Sequence, residues 1–182
     1  MNGSNSMDDI VQQAMAKWPN VPDCYGWLGL DARGDWYMRD EQAQTQGSFS
    51  QSKGSRITHD KLIAFITRNY ASDKAGQWFF QNGPQRVFVE LEATPWIWRI
   101  QPDGTIQAHT GEVVRAQRCI LDEHGRLYLD TAQGFGLIHT QDVLSAAGYI
   151  EAGLWVPQEV PAYDLANRFG YVRSPLQAQH QS

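Results

Sequence analysis

The 182-residue sequence is poor in cysteine and lacks the motifs of familiar catalytic centres. Its two cysteines, Cys24 and Cys119, lie far apart and form no C-x-x-C pair, which excludes a zinc site built on thiolates. The patterns G-x-S-x-G, H-E-x-x-H, G-x-x-x-x-G-K and the calcium loop D-x-[DN]-x-[DN]-G are also absent. We therefore predict that the protein has no metal and no cofactor.

Long hydrophobic runs and clusters of positive charge are absent as well. No stretch approaches about 18 apolar residues, and the first residues carry neither a basic nor an apolar signal segment. The polar residues 1–6 predict a disordered leader. Fifteen Lys and Arg stand against 20 Asp and Glu, a net charge of −5, so nucleic acid is not an expected partner. The sequence predicts a soluble cytoplasmic protein that binds neither nucleic acid nor membrane and keeps its cysteines reduced.

The most informative feature that is present is a short pattern that occurs twice. Residues 30–37 (LDARGDWY) and 121–128 (LDEHGRLY) match at an offset of 91 positions. Each copy places an Asp-x-x-Gly turn between an apolar and an aromatic residue, which predicts a β-hairpin. Thr-x-Asp at 58–60 and at 140–142 predicts two helices with threonine N-caps. A hairpin followed by a helix, found twice, predicts an α+β fold of antiparallel hairpins and packed helices in two structurally similar repeats.

This repeat predicts a division of the chain into three segments. Residues 1–20 contain an N-terminal helix, 21–115 the first repeat with extra hairpins, and 116–182 the second repeat with a C-terminal tail. The segment 41–55 is rich in Gln, Ser and Gly and predicts a mobile surface loop that expands the first repeat. Strand pairing is expected to be antiparallel throughout. The polar C-terminal end, after a short helix at 163–169, is expected to fray.

Candidate catalytic groups are few and do not cluster. His109 ends a predicted strand and precedes a glycine turn, so it could act as an acid or base with Glu90 or Asp103. Glu90 and Glu92 point to one face of a strand and could form an acid-base pair or hold a hard cation, although a solvated outer face is the favoured interpretation. Cys24 is interpreted as a partly buried apolar residue rather than a nucleophile.

Aromatic residues provide a candidate binding surface. Trp96 and Trp98 share one face of a predicted strand, because side chains two apart point the same way. If exposed, they would form a platform for a peptide, a sugar or a flat ligand, with Arg86 and Arg99 as a cationic rim. The favoured alternative is that both rings pack in the core against the helix that contains Phe65.

Five short motifs follow one another along residues 25–140. They are Gly34-x-Trp36, Ile57-x-His59-x-x-Leu62-Ile63-x-Phe65, Gly76-x-Trp78-x-Phe80, Val87-x-Val89 and Pro95-Trp96. In order and approximate spacing they resemble an uncharacterised proteobacterial family of duplicated α+β proteins. The resemblance implies a fold of internal repeats, ligand binding in signal transduction and no established catalytic residues. The sequence departs from the family pattern in its Gln/Ser-rich loop and in His59, where the family more often has Arg.

Three hypotheses of function result. The leading one is a non-enzymatic, regulatory protein of the bacterial cytoplasm that binds a small molecule or peptide in a cleft between its repeats. The second is a small hydrolase or isomerase that uses His109 with a carboxylate, and the third is a homo-oligomeric scaffold that pairs through exposed edge strands. The predicted binding residues are Trp96, Trp98, Arg99, His109, Arg86 and His59.

Overall fold

The computed structural model describes residues 7–181, so the predicted leader at 1–6 lies outside the described residues. The chain divides into two compact units. The first unit contains Met1–Asp31, Asp35–Glu92 and Tyr171–Ser182, and the second contains Ala32–Gly34 and Ala93–Gly170.

The helices and strands are short, and most strands are joined by tight turns. Two 3₁₀ turns, Thr140–Asp142 and Ala162–Asp164, precede the fourth and fifth helices. The elements in chain order are α1 (Asp9–Lys17), β1 (Cys24–Leu30), β2 (Trp36–Met38), α2 (Glu41–Thr45), β3 (Ser55–Arg56), α3 (Asp60–Arg68), β4 (Tyr70–Ser72), β5 (Trp78–Asn82), β6 (Gln85–Leu91), β7 (Trp96–Ile100), β8 (Ile106–Ala108), β9 (Val113–Val114), β10 (Ala116–Leu121), β11 (Leu127–Thr131), β12 (Gly134–Ile138), α4 (Val143–Glu151), β13 (Pro157–Glu159), α5 (Leu165–Phe169) and α6 (Pro175–His180).

The first unit is built on a six-stranded sheet with the order β3-β2-β1-β6-β5-β4. The sheet consists of two antiparallel meanders, β1 to β3 and β4 to β6. The meanders join where β6 pairs in parallel with β1. Helix α3 packs on one face, where Phe65 meets Phe80 edge to face with ring centroids 5.5 Å apart. Because alternate strand residues share a face, Leu28, Leu30 and Val89 lie buried on this same side.

The second unit repeats this topology. Its sheet has the order β13-β10-β11-β12-β7-β8-β9. Read in the opposite direction, this order is β9-β8-β7-β12-β11-β10-β13. Its first six strands match the order of the first sheet, β3-β2-β1-β6-β5-β4, when six is added to each strand number. Strand β12 lies parallel to β7, as β6 lies parallel to β1. Strand β13 is an addition outside β10. The α+β class with two structurally similar sheets is thus confirmed.

The register of the second meander is conserved between the two sheets. Phe79 lies opposite Phe88 in the first sheet. Tyr128 lies opposite Leu137 in the second, at a spacing of 49 residues (79 to 128 and 88 to 137). Every pair that joins β4 to β5 and β5 to β6 recurs at this spacing. The equivalent strands are therefore β4–β6 and β10–β12.

The repeated hairpin pattern at 30–37 and 121–128 identifies the same kind of turn, but the two turns do not join equivalent strands of the two sheets. In both copies the aspartate, Asp31 or Asp122, accepts a hydrogen bond from the backbone N–H four residues later. The first copy joins β1 to β2 and the second joins β10 to β11, whose counterpart is the hairpin β4–β5 with Asp73 in its turn. A three-residue loop that ends in a positive-φ glycine is a local signal and fits any hairpin of a sheet. The 91-residue offset is therefore not the offset of the structural repeat.

The expectation of antiparallel pairing throughout is wrong. Strands β1 and β6, β7 and β12, and β10 and β13 pair in parallel. The meanders themselves are antiparallel, as tight turns require. Parallel pairing arises where one meander joins the next and where β13 is added beside β10, and in each case it depends on contacts that are distant in sequence.

The segment 41–55 is ordered rather than a mobile loop. Asp40 caps helix α2 by accepting the N–H of Ala43 at 2.9 Å. Phe49 is only 3% exposed and lies on Gly29, where a Cβ atom would come within 2.3 Å of the ring. The guanidinium of the buried Arg39 donates to three backbone carbonyls, those of Gly26, Gly47 and Ser52, at 2.8 to 3.0 Å. One apolar ring and one cation thus hold a segment of polar composition.

The predicted threonine N-caps are each displaced by one residue or more. Helix α3 begins at Asp60, with His59 as its N-cap. In the second unit His139 caps a 3₁₀ turn by accepting the N–H of Gln141 on its Nδ1 at 3.0 Å, and α4 begins only at Val143. Helix starts are commonly uncertain by one or two residues, because several polar side chains near a terminus can accept the same N–H groups.

The C-terminal tail is also ordered and belongs to the first unit. Helix α6 has Ser174 as its N-cap, whose hydroxyl accepts the N–H of Gln177 at 3.1 Å. Arg173 O accepts the backbone N–H of Leu91, the last residue of β6, at 2.9 Å. The predicted segments 21–115 and 116–182 therefore differ from the compact units, which separate after Glu92 and again after Gly170.

Candidate functional site

An apolar groove of about 450 Å³ opens on the first unit beside helix α3. Its floor is formed by buried Leu28, Ile66 and Phe80. Around the floor lie side chains that are large, apolar and exposed, which is an unusual combination for residues of a folded core. They are Trp27 (43% exposed), Met38 (58%) and Leu62 (38%).

The groove exists because α3 covers only part of its sheet face. Phe65 and Ile66 of α3 pack toward β5 and the core. Met38 lies opposite Leu28 on the neighbouring strands, so both side chains project from the same face beyond the reach of the helix. Residues 54–59, which include the short strand β3, form the far wall.

A bulge in β1 brings two neighbouring side chains to the groove. Consecutive strand residues normally point to opposite faces. The register between β1 and β6 shifts between Cys24 and Leu28, and Gly26 within this stretch has φ +88°. Bulges re-aim side chains in this way. Trp27 and Leu28 both line the groove as a result.

The charged side chains of the groove are held to different degrees. Arg39 is buried, and its guanidinium is held by hydrogen bonds to three backbone carbonyls. The Asp40 carboxylate caps α2. Burial lowers the pKa of Arg39, and the charge of Glu90 opposes that shift. Arg56 lies on the edge strand β3 opposite Tyr37, is more than half exposed, and forms a long ion pair with Asp35 at 3.9 Å.

A second cavity, of about 440 Å³ and polar lining, lies on the first unit at Glu90. Glu90 is buried, so the expected solvated face is wrong at this position. Its carboxylate accepts the hydroxyl of Ser174 at 2.6 Å and the N–H of Leu176 at 3.1 Å. Burial raises the pKa of Glu90, and these bonds and the charge of Arg39 oppose the shift. Glu92 instead pairs with Lys53 at 3.0 Å.

Trp96 and Trp98 do not form an exposed platform. They are 6% and 0% exposed, and their rings stack at 5.9 Å with an interplanar angle of 2°. The indole N–H of Trp98 donates to Leu129 O at 3.0 Å. Glycines of β12 leave room for both indoles, since a Cβ at Gly134 or Gly136 would lie within 2.6 Å of an indole nitrogen. The core interpretation holds, and the indoles lie against these glycines of β12.

The two predicted rim arginines lie in different units and each has a carboxylate partner. Arg86 makes two bonds to Asp23, at 2.8 and 3.0 Å, and this pairing raises the pKa of Arg86. Arg99 donates from Nε to Asp142 at 2.7 Å. The same Asp142 oxygen accepts the N–H of Ile100 at 3.0 Å. Both arginines therefore stabilise local structure.

His109 lies in the second unit, where its imidazole is part of the core. Nδ1 accepts the backbone N–H of Ile97 at 3.2 Å, and the ring tilts against Trp96 at 5.8 Å. The residue as a whole is partly accessible, whereas Nε2 is buried. Burial lowers the pKa of His109 to about 3. Asp103, the proposed partner, lies in an exposed turn and accepts the N–H and hydroxyl of Thr105. This geometry does not favour His109 as a general base at neutral pH.

His59 is the one predicted binding residue among the side chains that line the groove. The sequence analysis did not identify Trp27, Met38 or Leu62 as candidate site residues. A signal was available at Trp27, because Trp-Leu in a strand leaves one large side chain without an obvious partner. The predicted cleft between the repeats stays a prediction.

Comparison with known proteins assigns a family without an activity. The model of the family DUF2944, whose description reads "Protein of unknown function (DUF2946)", matches residues 7–176. The chain belongs to the DUF2944 family. The predicted membership of an uncharacterised family is thus confirmed. No curated protein matches the chain.

Two solved structures resemble this DUF2944 protein. A DUF1285 family protein from Silicibacter pomeroyi DSS-3 has a TM-score of 0.48 at 13% identity, covering 78% of this chain and 84% of the other. A DUF1285 family protein from Shewanella baltica OS155 has a TM-score of 0.46 at 15% identity, covering 67% and 91%.

Three features of the described part of this DUF2944 protein bear on its function. Within residues 7–181 no group of three or more His, Cys, Asp or Glu side chains is placed to hold a metal ion. In the same range no helix is long and apolar enough to cross a membrane. The groove combines an apolar floor, exposed apolar edges and a few polar groups, the usual composition of a small-molecule site. A role in signal transduction and a cytoplasmic location stay predictions.

Proposed function

We propose that this DUF2944 protein is a non-enzymatic binding protein whose first unit holds an apolar small molecule in the groove beside α3. The observation that carries the proposal is the exposure of Trp27, Met38 and Leu62 around a single concave surface. Burying such side chains contributes roughly 1.5–3 kcal/mol each, so leaving three of them exposed together forgoes a large stabilisation. A ligand that covers them would recover it.

The size and shape of the groove favour a small molecule over a protein partner. A volume of about 450 Å³ lies within the range of typical ligand pockets. The floor is rigid, because Leu28 and Phe80 belong to paired strands and Ile66 to a packed helix. A preformed apolar site loses little entropy when a ligand binds.

The test uses N-phenyl-1-naphthylamine, a neutral apolar fluorescent probe, with wild type and with Met38→Gln/Leu62→Gln. We expect saturable binding to wild type and a Kd at least about ten-fold weaker for the double variant, because two apolar contacts of about 0.7 kcal/mol each are lost. Leu144→Gln is the matched control, since Leu144 is equally apolar, 86% exposed and in the second unit.

Leu144→Gln should leave the Kd of the probe unchanged. Absence of saturable binding to wild type, or equal loss in the control and in the double variant, contradicts the proposal. A protein or peptide occupant would then be the better hypothesis for the exposed apolar residues.

A further inference from the structure

The two sheets can be compared residue by residue, because their strand registers match. Every pair that joins β1 to β2 recurs between β7 and β8 at a spacing of 70 residues (28 to 98 and 38 to 108). The pairs of β5 and β6 recur in β11 and β12 at a spacing of 49 residues (80 to 129 and 87 to 136). Four residues that line the groove thus have counterparts in the second unit: Leu28 and Trp98, Met38 and Ala108, Phe80 and Leu129, and Val87 and Gly136.

In the second unit, the surface equivalent to the groove is occupied by the indole of Trp98. The side chain starts on β7, and its N–H donates to Leu129 O on β11 at 3.0 Å. On β12, which lies between these strands, a Cβ at Gly136 would come within 2.5 Å of the indole nitrogen. The ring therefore extends across three neighbouring strands. Trp96 stacks on it with nearly parallel planes, so this surface is filled by aromatic rings.

The first unit lacks both rings at the corresponding positions. Leu28 takes the place of Trp98, and its side chain is too short to cross the neighbouring strands. Gly26 lies two residues before Leu28 and has no side chain, whereas Trp96 lies two residues before Trp98. The groove lies over β1, β6 and β5 as a result. The first unit thus leaves open the surface that the second unit covers with its own indoles.

Trp27 offers a stacking partner for a ring bound in this space. Its side chain lines the groove and is 43% exposed. Stacked or edge-to-face aromatic pairs are stabilised beyond the area that they bury, which favours a ring over an aliphatic chain beside an indole. Val87 carries the Cβ that Gly136 lacks, so its side chain holds a bound ring away from the backbone. Such a ring contacts side chains and needs no N–H group of its own.

We infer that the groove takes a flat bicyclic aromatic molecule, which lies where the indole of Trp98 lies in the second unit and stacks on Trp27. This inference rests on the proposed function of the groove. It adds a preference for aromatic rings to the preference for apolar molecules, and it assigns Trp27 as the residue that confers this specificity.

The first test compares 2-naphthol with trans-decahydro-2-naphthol by isothermal titration calorimetry at pH 7.5. The two probes share a carbon skeleton and a hydroxyl group, but only 2-naphthol is flat and aromatic. We expect 2-naphthol to bind wild type at least about three-fold more tightly, because only this probe stacks on the indole. Trp27→Leu should remove the preference. Trp18→Leu is the matched control and should retain it, because Trp18 is 50% exposed in the same unit and does not line the groove.

The second test fills the groove with a side chain of the protein. Leu28→Trp/Val87→Gly reproduces in the first unit the pair that Trp98 and Gly136 form in the second. Its indole should occupy the groove and weaken 2-naphthol binding at least about ten-fold, while cooperative unfolding in urea shows that the variant is folded. Leu144→Trp, which adds an indole at an exposed position of the second unit, should leave the Kd unchanged.

The comparison of wild type with Trp27→Leu does not depend on the fold of the double variant. Equal affinity of wild type for the two probes, or a preference that survives Trp27→Leu, overturns the aromatic ligand class while the groove remains a binding site. Unchanged 2-naphthol binding by folded Leu28→Trp/Val87→Gly overturns the position assigned to the ring. Saturable binding of neither probe to wild type overturns the proposed function together with this inference.

Discussion

The hydroxyl of Tyr128 donates to the buried carboxylate of Asp122 at 2.8 Å. Asp122 also accepts the N–H groups of His124 and Arg126, each at 2.9 Å. One carboxylate therefore holds a whole hairpin turn. Burial alone would raise the pKa of Asp122, but these hydrogen bonds and the charge of Arg126 lower it below the usual value.

Replacing Asp122 by Ala should destabilise the protein by about 3 kcal/mol, because it leaves three donors without their acceptor. Tyr128→Phe should cost less, about 1–2 kcal/mol, because the backbone bonds remain. Urea denaturation measures the free energy of unfolding of both variants. Tyr37→Phe is the matched control, because the Tyr37 hydroxyl donates to Asp31 in the other Asp-x-x-Gly hairpin at the longer distance of 3.1 Å. Equal costs for Asp122→Ala and Tyr128→Phe would contradict the central role of the carboxylate.

The contact between Gly29 and Phe49 should show strong coupling. Phe49→Ala should cost about 3–5 kcal/mol, the usual range for a buried ring. Gly29→Ala should also destabilise, because its Cβ would lie 2.3 Å from that ring. In the Phe49→Ala background the same glycine change should be neutral or stabilising, since alanine suits a strand better than glycine does. Additive costs in this double-mutant cycle would show that the close contact is absent.

The buried imidazole of His109 should make stability depend on pH. Its folded pKa, about 3, lies below the unfolded value of 6.5. Between these values the unfolded chain binds a proton that the folded chain does not, so stability falls as the pH decreases from about 6.5 toward 3. The slope from this residue approaches 1.4 kcal/mol per pH unit.

His109→Asn isolates this effect, because its amide oxygen can still accept the N–H of Ile97. Urea denaturation at pH 7.5 and at pH 5 should show a smaller loss of stability on acidification in the variant than in wild type. Identical pH dependence in the two proteins would mean that His109 is solvated in the fold.

Arg99 and Asp142 form an ion pair in which the two partners should have unequal importance. Arg99→Met should change stability by less than about 1 kcal/mol, because the Arg99 side chain is 42% exposed. Asp142→Ala should cost about 2 kcal/mol, because the carboxylate also accepts the buried N–H of Ile100. Thermal or urea denaturation of both variants checks the order, and a larger cost for Arg99→Met would reverse the interpretation.

Turns and strands were the most predictable part of the fold. The Asp-x-x-Gly turns at 31 and 122 were identified because the positive-φ glycine and the aspartate act within five residues. The same locality explains why the repeat was assigned to the wrong strands. Equivalence between β4–β6 and β10–β12 is set by strand order, which no single turn encodes.

The order of the segment 41–55 and of the C-terminal helix could not be predicted from composition. Each depends on one buried polar group: Arg39 with its carbonyl acceptors for the first, and Glu90, 84 residues from its partner Ser174, for the second. The exposure of Trp27 likewise follows from a bulge and from the limited reach of α3. Residue type alone favours burial for such side chains.

The sequence by itself determined the α+β class, the hairpin turns and the absence of familiar catalytic motifs, because these depend on spacings of a few residues. Tertiary structure decided which aromatic residues are core and which line a groove. Trp98 is enclosed because Gly136 leaves room for its indole, whereas Trp27 is 43% exposed because no element within residues 7–181 covers its side chain fully. Whether a side chain is buried depends on which other parts of the chain pack against it, so burial is decided by tertiary packing rather than by the local sequence pattern.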